Sequence, residues 1–121
     1  MSARDKMVTL LDRLTVLSGE GKIGWEPAGD DGPYSYRFRA GSGHTVVIDS
    51  RDDDGRPPID LLVIGPHGDV VSELLSTGSG ARPDYQLTQL WEQAKDFAAG
   101  TSKVLDQLLR ELPLSNDDIP F

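Results

Sequence analysis

Two imidazoles, a run of three aspartates and two glycine-flanked serines are the side chains of this chain with the makings of a reactive site. His44 and His67 are the only histidines, and each sits beside glycine with no HxxxH or HxxE companion. General-base work or metal ligation needs partners at such spacings. Asp52-Asp53-Asp54-Gly55 has the look of a calcium loop, but Ser50 takes the loop's first position and Leu61 stands where its closing glutamate belongs, so the pattern fails. Gly41-Ser42-Gly43 and Gly78-Ser79-Gly80 lack the GxSxG spacing of a nucleophile elbow. Gly19-Glu20-Gly21-Lys22 lacks the spacer and the hydroxyl residue of a phosphate-binding loop. Cysteine is absent, which removes disulfides, thiolate nucleophiles and cysteine zinc sites. The chain is expected to be non-catalytic, with no metal and no cofactor.

The last residues are different in kind. After Pro113 the sequence runs Leu114-Ser115-Asn116 and then Asp117-Asp118-Ile119-Pro120-Phe121. Phe121 can fill an apolar pocket while its terminal carboxylate pairs with an arginine or lysine of a partner. Pro120 restricts the backbone and lowers the cost of ordering it. Ile119 adds apolar contact, and Asp117 and Asp118 suit a basic rim that steers encounter. These five residues resemble the acidic C-terminal tip of bacterial single-stranded DNA-binding proteins. A chance match of that length is roughly one in a few million if residue types are equally frequent. The resemblance implies docking on genome-maintenance proteins such as helicases, single-strand exonucleases and recombination mediators. It covers only the tip: that family carries an oligonucleotide-binding barrel and a long Gly/Pro/Gln-rich linker, whereas here the linker is two or three residues. DNA binding is therefore not carried over.

Charge supports that restriction. Lys and Arg number 12 against 20 Asp and Glu, a formal net charge of −8. Both halves are acidic: residues 1–60 hold 8 basic and 11 acidic side chains, and residues 61–121 hold 4 and 9. A basic footprint for duplex DNA or an anionic membrane is missing. No apolar run reaches the ~18–20 residues of a membrane span, and the start of the chain lacks a signal-peptide core. The expectation is a soluble, cytoplasmic protein.

The elements that would carry the tip follow from periodicity. Met7, Leu10, Leu11, Leu14 and Leu17 share one face of a helix over 3–18, with Ser2 and Asp5 at capping-box spacing and Gly19 suited to its left-handed end. Ile23 and Trp25 suggest a short edge strand closed by Pro27. Four strands follow around Tyr34–Phe38, 44–49, 59–64 and 70–75, joined by short turns, which predicts an antiparallel meander. In the first, Tyr34, Tyr36 and Phe38 alternate with Ser35, Arg37 and Arg39, so the rings face the core and the arginines face solvent rather than a nucleic acid. From Leu87 to Leu112 the apolar residues keep one helical phase, which predicts one long C-terminal helix, with a break near Gly100 as the second reading.

The fold class is thus α+β: an N-terminal helix, a meander of about four strands, a long C-terminal helix and a short acidic tail, with a single domain over 1–112 and a linker and docking tip over 113–121. A long helix outruns a narrow sheet, so part of its apolar stripe is expected to pack on a second copy in a homodimer. The reading is an adaptor or regulator of DNA metabolism whose residues Asp117 to Phe121 recruit such partners or compete for their pocket. The alternative is an acidic immunity protein or nucleic-acid mimic, phage or mobile-element encoded, that uses Asp30, Asp31 and Asp52 to Asp54 against a basic toxin or nuclease.

Overall fold

The computed structural model describes residues 2–28, 34–52 and 54–112. Helix α1 spans Ala3–Gly19 and opens on the expected capping box. The Asp5 amide donates to Ser2 Oγ at 3.1 Å, and the Ser2 amide donates back to the Asp5 carboxylate. Its buried face is Met7, Leu11, Leu14 and Ser18. The stripe therefore ends on Ser18 and leaves Leu17 exposed. The cause lies in the next segment, where the buried Trp25 indole N–H donates to Ser18 Oγ at 2.9 Å. A buried indole needs such an acceptor. Gly19 stays helical, and a Cβ there would meet the Gln93 side chain at 3.2 Å. The left-handed conformation falls instead on Gly21, at φ 73°.

Strands β1 (Glu26–Pro27), β2 (Ser35–Arg39), β3 (Thr45–Ser50), β4 (Ile59–Ile64) and β5 (Val70–Leu74) form one antiparallel sheet in sequence order. The edge strand suggested by Ile23 and Trp25 is displaced to Glu26 and Pro27, while Ile23 and Trp25 themselves are buried. Pro27 is tolerated there because an edge strand has one unpaired side. The register aligns Tyr36, Ile48, Leu61 and Leu74 across four strands on one face. Gly43 and Gly68, both at positive φ, close the two tight turns.

Helix α2 (Arg82–Ala98) buries Leu87, Leu90, Trp91 and Ala94 against that face. Asp12 accepts a hydrogen bond from Gln86, and Gly19 lies against Gln93, so α1 and α2 run parallel. Both helices lie on the same side of the sheet, α1 beside β5 and α2 across β1 to β4. The C-terminal helical stretch is divided: Gly100 takes φ 68°, ψ 23°, and α3 (Thr101–Glu111) starts a new direction. Glycine inside a helix costs up to about 1 kcal/mol unless a packed face offsets it. Here the offset is missing, because the apolar residues beyond Gly100 are exposed.

Leu61 is fully buried in β4, between β3 and β5, within the core that the helices cover. Leu61→Ala is expected to destabilise the fold by about 2–5 kcal/mol. Ser18→Ala is expected to cost about 1–3 kcal/mol by stranding the Trp25 indole. Urea unfolding followed by tryptophan fluorescence checks both, and a Ser18→Ala variant as stable as the parent would refute the assigned role of that hydrogen bond.

Candidate functional site

Asp117, Asp118, Ile119, Pro120 and Phe121 lie outside the described residues, as does the linker from Pro113. What the structure describes is the element that leads to them. Helix α3 ends at Leu112, whose amide donates to the Leu108 carbonyl at 2.9 Å. Its main contact with the body is α2. Its apolar residues Val104, Leu105, Leu108, Leu109 and Leu112 are between 45% and 68% exposed. The segment over 113–121 thus follows directly on a helix that stands out from the core.

The strand of rings and arginines divides as alternation requires. Tyr36 is buried and Phe38 half-buried on the helix side, where Tyr36 meets Trp91 at 6.1 Å between ring centroids and Phe38 meets Trp25 edge-on at 4.9 Å. Burial pushes the Tyr36 phenol above its ordinary range, a sign of a core residue rather than a stacking platform. On the opposite face Arg37 pairs with Glu26 at 3.1 Å, and Arg39 is exposed. Tyr34 sits at the strand's start, packed against Gly55, while its carbonyl accepts from the Trp91 indole at 2.9 Å. Along β2 the rings of Tyr36 and Phe38 and the guanidinium groups of Arg37 and Arg39 thus take opposite faces.

The acidic loop is organised around its own backbone. Asp54 accepts from the Arg56 amide at 3.0 Å and from Ser50 Oγ at 3.2 Å. Asp53, Asp30 and Asp31 lie outside the described residues. Among the described residues no group of three or more His, Asp or Glu side chains could hold a metal ion. His44 Nδ1 lies 2.9 Å from Ser42 Oγ on an exposed turn, and His67 is exposed in the β4–β5 turn. A serine and a histidine in contact are two parts of a nucleophilic site, but a third group must orient the base. No carboxylate is paired with either imidazole among the described residues.

Two carboxylate networks that sequence reasoning missed organise one end of the sheet. Asp60 is buried, and Arg51 donates to both its oxygens, at 2.8 and 2.7 Å. The Ser76 amide completes the shell at 3.1 Å, and its carbonyl accepts from Arg51 at 2.9 Å. An aspartate inside the apolar run Ile59-Asp60-Leu61 was the available signal, because a buried carboxylate requires partners. Nearby, Asp84 accepts from the Thr77 amide and hydroxyl, both at 3.0 Å, and from the Gly80 amide at 3.2 Å. The Thr77 amide foremost holds the Asp84 carboxyl below its ordinary range. Both networks close on the chain's own loops and serve as latches.

No family model, no curated protein and no solved structure matches this chain. Among the described residues no helix is long and apolar enough to cross a membrane.

The Asp84 latch gives a pH signature. A carboxyl held low in the folded state contributes stability above its unfolded value, and that contribution is lost as pH falls through the folded value. Asp84→Ala removes the acceptor of the Thr77 and Gly80 amides and is expected to lower stability by about 1 kcal/mol near neutrality. Urea titrations should show the difference from the parent shrinking as pH is taken from about 5 towards about 2. A difference that stays constant over that range would contradict the latch.

Proposed function

We propose that this chain is a non-catalytic adaptor of bacterial DNA metabolism, acting in the cytoplasm, in which an α+β body carries the docking peptide Asp117-Asp118-Ile119-Pro120-Phe121. The observation that carries this reading is the tip itself, with an aromatic residue and its carboxylate last, proline before it and an acidic pair upstream. The partner is a helicase, exonuclease or recombination mediator whose basic-rimmed apolar pocket takes the tip of the single-stranded DNA-binding protein.

Phe121 is the anchor in this reading, and burying a phenylalanine side chain is worth about 1.5–3 kcal/mol, or roughly ten- to a hundredfold in affinity. Phe121→Ala, deletion of Phe121, or one residue added after it should each weaken binding to a purified exonuclease or helicase of this class by at least tenfold. A synthetic peptide with the tip sequence of a single-stranded DNA-binding protein should displace the intact chain. Fluorescence anisotropy measures both. Affinity that survives all three changes sinks the proposal. Affinity that instead falls on neutralising Asp52 and Asp54, with the tip intact, supports the acidic-mimic alternative.

A further inference from the structure

Three exposed apolar elements lie towards one end of the helical layer. The first is α3, an amphipathic helix of 11 residues whose apolar face has no cover from the sheet. The second is the last turn of α1, where Val16 is 62% and Leu17 39% exposed beside a depression of about 390 Å³ lined by these two residues with Asp12 and Arg13. The third is Phe97 in the last turn of α2, 38% exposed and sharing a second depression with Gly19 and Glu20 at the end of α1. Because α1 and α2 run parallel, both helices deliver these residues to the end where α3 begins.

We infer that a second copy of this chain covers this end, with α3 as the centre of a homodimer interface. Three arguments favour a second copy over a foreign partner. The first is area: the exposed apolar side chains of α3, Val16, Leu17 and Phe97 offer on the order of 700 Å² per copy, close to the roughly 800 Å² per partner of a standard interface. The second is charge. The protein is strongly acidic, yet α3 holds Lys103 and Arg110 against Asp106 and Glu111 and is neutral. Two copies of a patch with a net charge repel, whereas a neutral patch with both signs can pair its opposite charges across a two-fold axis, so neutrality favours self-association. The third is helix stability. An isolated helix shorter than about 12 residues is marginal in water, and α3 is held to the body chiefly by α2. Burial of its apolar face against an identical face supplies what is missing.

Sedimentation equilibrium of the full chain tests the inference. The expected mass at micromolar concentration is twice the 13.2 kDa of one chain. The double variant Leu105→Asp/Leu108→Asp should sediment as a monomer, its dimer weakened roughly a hundredfold or more. Its near-ultraviolet tryptophan signal should be retained, because both residues lie outside the core. Val71→Asp, on an exposed strand position, should leave the dimer intact. The cysteine-free chain allows a second measurement that leaves the fold unburdened by new charge. Leu109→Cys should cross-link to a covalent dimer with a short bis-maleimide, and Val71→Cys should not. A parent chain that is monomeric at 100-fold higher concentration than the cross-linking experiment, or a dimer that survives the α3 double variant, overturns the inference. So does equal cross-linking through positions 71 and 109.

Discussion

One sheet face and two helices set the limits of this molecule. The register that stacks Tyr36, Ile48, Leu61 and Leu74 creates a continuous apolar surface, and α1 and α2 together are wide enough to close it. Everything else is arranged around that closure. Trp91 sits over the sheet and fixes the start of β2 through its indole bond to the Tyr34 carbonyl. Trp25 ties the segment after α1 back to Ser18. One bond is local, 7 residues apart, and the other spans 57 residues; each ties a helix to the segment just before a strand, which is where a small domain gains uniqueness beyond simple apolar burial.

The same closure explains why the chain changes character at Gly100. Up to Ala98 helix α2 is continuous, and Leu87, Leu90, Trp91 and Ala94 are buried beneath it. Beyond it the period continues in the sequence but the substrate for packing does not. Backbone preference then decides, and glycine goes left-handed. A sequence reader sees unbroken phase from Leu87 to Leu112 and expects one helix, because phase carries no information on whether a surface lies opposite.

Legibility follows the same division between local and distant causes. The capping box of Ser2 and Asp5, the alternation in β2 and the apolar run of β4 are local patterns, and each predicts its element. The meander followed because short turns leave antiparallel pairing as the simple choice. The partner of Trp25, 7 residues back, and the Arg51–Asp60 pair, 9 residues apart, depend on how the segments pack and not on a repeating pattern of residue types. Asp60 alone advertised itself, as a charge in an apolar strand. The tip proposed for docking is the opposite case: that proposal is read wholly from five side chains, and no amount of core packing bears on it.

The two proposals meet at Leu112, which ends the apolar face of α3 and begins the path to Asp117. A dimer built on α3 would bring two copies of segment 113–121 into one assembly. Two tips on one body convert a second docking event into an intramolecular one, so a modest peptide affinity can yield firm capture of a partner that presents two pockets. Nine residues reach at most about 30 Å when extended, which limits that gain to pockets close to the α3 end. Charge placement fits both proposals. A neutral α3 lets two acidic bodies approach there, while Asp117 and Asp118 keep the negative charge where a basic rim would receive it. The excess of 8 negative charges is thus compatible with self-association because it is left off the one helix that would have to pair.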